Sequence, residues 1–128
     1  MPNIEELLDG TCVAAADLDD DDLYKFVELT DDLTVNAVSG AGDRAYGVLK
    51  RAGDTGEAVT VQLSGVSLVR CGSSITAFSA GDLLSVEAGG TVQPHSAGEV
   101  AVAIAKEAGD DDQLISAFII SGGDDVSV

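Results

Sequence analysis

The chain repeats itself once, about half its length apart, and this constrains the fold more than any other feature. Ala45–Asp54 reads AYGVLKRAGD and Ala101–Asp110 reads AVAIAKEAGD, an offset of 56 residues. The offset holds without a gap from Gly42/Gly98 to Leu63/Ile119. Upstream, Thr34-Val35 pairs with Thr91-Val92 at an offset of 57, and Val27-Glu28 with Val86-Glu87 at 59, so short insertions separate the copies. A repeated supersecondary unit builds architecture rather than a reaction centre. Two copies are too few for a solenoid. The sequence therefore predicts one closed, pseudo-symmetric body with copies over about 17–63 and 75–120.

Periodicity says what each copy encodes. Tyr46, Val48 and Lys50 alternate with Ala45, Gly47 and Leu49; Val59, Val61 and Leu63 alternate with Ala58, Thr60 and Gln62. Period-two alternation around a Gly/Asp turn is the pattern of an antiparallel hairpin. The second copy offers Val102 and Ile104, then Ile115, Ala117 and Ile119. AGD recurs at Ala41, Ala52, Ala80 and Ala108. Gly supplies positive φ and Asp bonds back to the backbone, so each AGD is expected to be a turn. Further strands are expected at Cys12–Ala15, Leu23–Leu29, Leu33–Val38, Val66–Cys71, Leu83–Glu87 and Thr91–Gln93. Helical spacing is confined to the short stretch Ile4–Leu8. The fold class is all-β, a barrel or sandwich of short strands.

One domain of 128 residues can bury a core, here built mainly from small aliphatic side chains, with no Trp and five aromatics. No apolar run is long enough to span a membrane. The acidic start MPNIEELLDG lacks the basic region of a signal peptide, so synthesis in a host cytoplasm is expected. Cys12 and Cys71 form no metal or redox motif; they can pair with each other or lie buried as free thiols, the latter favoured for a cytoplasmic product.

The formal net charge is −17, with Asp outnumbering Glu and only six bases. Such a surface cannot neutralise phosphates, which excludes direct nucleic-acid binding and anionic membranes as partners. It repels itself at low ionic strength and is screened at molar salt, where the Debye length is about 3 Å. An Asp-rich, Lys-poor composition on a folded apolar pattern points to an extreme halophile, with an acidic mesophilic protein as the alternative.

Candidate chemistry is sparse. Asp17, Asp19, Asp21 and Glu28 fall at positions 1, 3, 5 and 12 of a calcium-loop pattern. The match fails at position 6, where Asp22 replaces the Gly required by the sharp turn. A solvated acidic loop is the favoured reading, and no metal or other cofactor is expected. The Asp110–Asp112 run reads as a charged hairpin tip. His95, the one histidine, follows Pro94 with no patterned partner and reads as a loop residue. There is no phosphate-binding loop, nucleophile elbow or Cys/His cluster, so the chain is not expected to be an enzyme.

The order of elements from Tyr46 to Ile120 resembles that of the small capsid cement, or decoration, proteins of tailed viruses. AYGV, a short acidic turn and GEAVTVQ are followed by GV, then ITAFSAGD, a VEAGGTV hairpin and a second AVAIAKEAGD unit. About 75 of the 128 residues carry the resemblance. It implies a β-barrel or β-tulip domain that sits, commonly as trimers, on the outer capsid lattice, with an N-terminal arm reaching onto the major capsid protein. The implied division is an arm over 1–11, with Pro2, Asn3, Ile4, Leu7 and Leu8 as contact residues, and one barrel domain over 12–128. With the composition, it implies a virus of a halophilic archaeon. The family's pattern carries no catalytic residues, and the acidic stretch Asp17–Asp22 departs from it.

The second copy also shows an apolar pattern on both faces of its last strand, with Ile115, Ala117 and Ile119 on one side and Leu114, Phe118 and Ile120 on the other. Something must cover the second face. A subunit interface at Leu114, Phe118 and Ile120 is expected, with the N-terminal Ile4, Leu7 and Leu8 as the alternative cover. Three functions are then open. The first is a virion protein that clamps the capsid surface and stabilises the mature head. The second is a receptor- or glycan-binding head appendage. The third is a small β-barrel enzyme whose site is not local in sequence.

Overall fold

The computed structural model describes residues 5–73 and 75–120, with residues 5–9 described by backbone alone. Nine strands form the body: β1 Glu5–Ala14, β2 Phe26–Asp31, β3 Thr34–Ala37, β4 Gly47–Arg51, β5 Ala58–Arg70, β6 Leu83–Val86, β7 Val92–Pro94, β8 Ala103–Ala105 and β9 Leu114–Ile119. Among the described residues there is no α-helix, only a 3-10 turn at Asp20–Asp22. The all-β expectation holds.

All nine strands belong to one sheet in the order β1-β3-β2-β4-β5-β9-β8-β6-β7, and β1 also pairs with β5. That extra pairing closes β1, β3, β2, β4 and the first half of β5 into a five-stranded barrel. The second half of β5 begins a second ring through β9, β8, β6 and β7. This ring closes where Cys71 bridges Val92 in parallel and the Gly72 N–H donates to the Val92 carbonyl at 3.0 Å. The pairings match strand for strand. β1 runs parallel to β3 just as Cys71 meets β7. The hairpin β2–β3 matches β6–β7, and β4–β5 matches β8–β9. A 13-residue strand thus ends one copy of the unit and starts the next.

This geometry corrects two details of the sequence reading. Leu29 sits opposite Val35 as Val86 sits opposite Val92, so Leu29, not Val27, is the counterpart of Val86. A two-residue slip keeps side chains on the same face, which is why the alignment tolerated it. The unit also begins earlier than residue 17. Cys12 lies opposite Val59 as Val69 lies opposite Ile115, which makes β1 the counterpart of the end of β5.

Each barrel has its own core, and the wall between them serves both. Val27 and Leu49 pack with Cys12, Val35, Val59 and Val61 inside the first barrel. Their neighbours Phe26 and Val48 point the other way, into a cluster with Val69, Leu84, Val86, Ile115 and Ile119. Alternation of side chains across a strand makes this double use possible. Strand β5 bends at Gly65 (φ +93°), where it passes from one barrel to the other. Gln62, fully buried, donates from Nε2 to the carbonyls of Ser64 and Val66, both at 3.0 Å, and accepts from Lys50 Nζ at 3.3 Å. It supplies donors to carbonyls at the bend, which would be costly to bury unpaired.

The four AGD motifs divide into two kinds. Gly42 and Gly81 have positive φ, and Asp43 and Asp82 donate back to the carbonyls of Gly40 and Ser79, as turns should. Gly53 and Gly109 are not turn centres. Gly53 exchanges both backbone hydrogen bonds with Leu18, and Gly109 does the same with Phe78. A Cβ on Gly109 would fall 2.5 Å from the Phe78 ring, so close packing of a core side chain selects Gly there. The turn proper starts one residue later, at Asp54 and Asp110.

Candidate functional site

The expected N-terminal arm is largely part of the barrel. From Glu5 onward the chain is β1, which pairs with β5 from Glu5↔Val66 to Val13↔Ala58, with irregularities around Leu8. The short helical spacing at Ile4–Leu8 loses to these ladder hydrogen bonds. Leu7 and Leu8 lie on this strand; Pro2, Asn3 and Ile4 lie outside the described residues. On its other edge β1 meets β3 only at Val13 and Ala14.

The calcium-type constellation is not assembled. Asp17 accepts from the Thr55 N–H and hydroxyl, both at 2.9 Å, and these bonds hold its carboxyl below the usual carboxylate range. Asp22 accepts from the Asp19 N–H and faces Lys25 at 3.9 Å. Glu28 stands within β2 opposite Asn36. Asp19, Asp20, Asp21 and Asp54 edge a shallow depression of about 370 Å³. Among the described residues no three His, Cys, Asp or Glu side chains come together as a metal-ligand set.

Both cysteines are free and buried. Burial raises the Cys12 thiol above its ordinary value, against a smaller lowering by its hydrogen bond with Tyr46. Burial, then the nearby Asp110, pushes Cys71 from 9.0 up to about 11. The unfolded chain therefore releases this proton at lower pH than the folded chain. The stabilisation is complete below about pH 9 and is lost as pH rises toward about 11. Thermal melts across that window should fall in wild type and fall less in Cys71→Ala; parallel slopes would remove Cys71 as the source. His95 is a loop residue whose Nε2 lies 2.9 Å from the Glu99 carbonyl.

Two surfaces stand out instead. The first is an apolar row on the outside of the second barrel. Val66 lies opposite Phe118, Phe118 opposite Ile104, and Ile104 opposite Leu83. Directly paired residues point to the same face, so the four side chains form one band across four strands, with Val66 at its buried end. Phe118 is 43 % exposed, while Leu114 and Ile120 are half-buried. The two-sided pattern read in β9 is thus a core face plus a solvent-facing aromatic.

The second is a cleft of about 510 Å³ beside the junction of the two barrels. Its lining includes Lys25, Arg70, Ser73, Glu87, Gln93 and Asp112. Backbone hydrogen bonds fix its walls: Arg70 N–H to Tyr24 O at 3.0 Å, Phe26 N–H to Gly90 O at 2.8 Å and Asp112 N–H to Gly72 O at 3.1 Å. Glu87 accepts from the Thr91 hydroxyl and Asp112 from that of Ser73, each at 2.8 Å. The Arg70 guanidinium has no hydrogen-bond or ion-pair partner among the described residues. No local motif marks this cleft, because its residues come from five separated segments.

No family model matches the chain, and no curated protein matches it. Among solved structures it is similar to the N base of the head fiber gp8.5 of bacteriophage phi29. The TM-score is 0.66 at 20 % identity, over 88 % of this chain and 93 % of that chain. The double-barrel body described above, and not merely one hairpin of it, therefore has a counterpart in the base of a phage head fiber.

Proposed function

We propose that this chain is a structural virion protein that docks on the outer surface of the major capsid protein lattice and stabilises the mature head, with no catalytic role. The observation that carries this reading is the shared fold with a phage head-fiber base, extending over nearly the whole of both chains. The charge of −17 adds a virus of a halophilic archaeon as the source. The N-terminal residues Pro2, Asn3, Ile4, Leu7 and Leu8 are the capsid contact in this reading. β1 provides a physical means, since from Glu5 to Cys12 it is paired on one edge only among the described residues. An edge of this kind accepts a strand from a partner through main-chain hydrogen bonds. Co-sedimentation of the purified chain with shells of the major capsid protein from the same genome, in molar salt, tests the reading. Saturable binding is expected, and its absence would overturn it.

Self-association is proposed on the band around Phe118, as a homotrimer with Leu114 and Ile120 at its margin. The strands that carry this band, β5, β9, β8 and β6, contain no acidic residue in a chain that has 23, and Glu5 of β1, opposite Val66, stands at its margin. Copies that repel each other elsewhere can approach here. Phe118→Asp should convert a trimer to monomer in sedimentation at molar salt and leave the melting of the isolated subunit within about 1 kcal/mol, because the side chain is half exposed. A wild-type monomer, or a variant that stays trimeric, would remove the assignment.

A further inference from the structure

We infer that the cleft between the barrels binds a carboxylate-bearing saccharide, a uronic acid unit. The inference does not depend on capsid docking. It starts from the distribution of charge. The chain has six bases, and two of them, Lys25 and Arg70, line this one cleft. Lys25 is held only by a 3.9 Å pair with Asp22, and Arg70 has no partner among the described residues. A guanidinium presents five donors in a planar fork that matches a carboxylate.

The acids beside them are positioned differently. Glu87 and Asp112 are each fixed by a hydroxyl, and a Cβ on Gly72 would overlap the Glu87 carboxylate, so Gly72 leaves the space that Glu87 fills. Fixed carboxylates with remaining lone pairs accept hydrogen bonds from hydroxyls. A ligand that satisfies the whole lining therefore carries one carboxylate and several hydroxyls. The volume of about 510 Å³ lies within the range of small-ligand sites and suits one or two sugar rings. Among the described residues the apolar contributors are Ala41 and Ala88, too small to form a pocket for the anchoring side chain of a peptide.

The test is a titration of the full chain in molar KCl, followed by amide chemical shifts. Glucuronate should bind with a Kd of about a millimolar and move the amides of Arg70, Ser73 and Thr91. Glucose and acetate should each bind at least about tenfold more weakly, since each offers half of the recognised chemistry. Arg70→Gln should weaken glucuronate by about tenfold or more, Arg70→Lys by less, and Arg51→Gln, outside the cleft lining, should leave it unchanged. The amide spectrum of each variant shows whether it is folded. The inference is overturned by no glucuronate shifts, by equal binding of glucose or acetate, by an Arg70→Gln variant that binds as wild type, or by an acidic peptide displacing the sugar as the preferred ligand.

Discussion

Gly90→Ala should destabilise the chain by about 2–5 kcal/mol, while Gly89→Ala next to it should cost only about 1–2 kcal/mol. Both glycines have φ +97°, so both substitutions force an L side chain into a backbone region it rarely adopts. Their surroundings differ. A Cβ on Gly89 meets nothing within 4 Å, whereas one on Gly90 would overlap the Phe26 carbonyl. Gly90 accepts from the Phe26 N–H at 2.8 Å, and this contact seats the β6–β7 hairpin of the second barrel against β2 of the first. Phe26 is itself part of the larger core. The clash must push the hairpin off the shared wall or twist β2. A domain with ordinary stability of about 5–15 kcal/mol would lose a large part of it. Paired urea melts of the two variants measure the difference. Equal losses would mean that the barrels are not held together at this point.

The sequence revealed the strands better than their connections. The hairpins β4–β5 and β8–β9 were legible because their alternation and their 56-residue spacing both survive in the side chains. The alternation at Val59–Leu63 and the run Val66–Cys71 predict two strands, whereas the chain forms one, β5. Gly65 is the bend between two barrels, and the signal for that is Gln62. A polar residue at an outward-reading position is normally solvent-facing; here it is fully buried because carbonyls on both sides of Gly65 need donors. β1 and the end of β5 share register but no residue identities, so side chains alone do not show that one copies the other. Likewise, the AGD at Ala52 and Ala108 is a packing motif rather than a turn, and a tripeptide alone does not distinguish a Gly needed for φ from a Gly needed for space. The cleft was not legible, because fold topology alone brings Lys25, Arg70, Glu87 and Asp112 together.

Removing salt should unfold this protein before heat does so in ordinary buffer. Twenty-three acids face six bases, so most carboxylates have no base to pair with; Lys25–Asp22, at 3.9 Å, is one pair that forms. Internal compensation is therefore small. Two carboxylates 10 Å apart repel by about 0.4 kcal/mol in water without screening. At ~0.1 M salt the Debye length is about 10 Å, so neighbours around the surface still sense one another. At about 1 M it is near 3 Å, and they do not. The unfolded chain carries the same charges but spreads them, so the compact state bears the larger part of the repulsion. Summed over the surface, the difference is on the order of a few kcal/mol, comparable with the margin of a small domain. Melting curves in KCl from roughly 0.1 to 3 M should rise steeply to about 1 M and then flatten, if screening is the cause. Salting-out of apolar surface behaves otherwise and keeps rising with concentration. A curve flat throughout would remove the electrostatic account and the halophilic source with it. A curve rising linearly to the highest salt would assign the effect to the core and to the Phe118 band rather than to the acids.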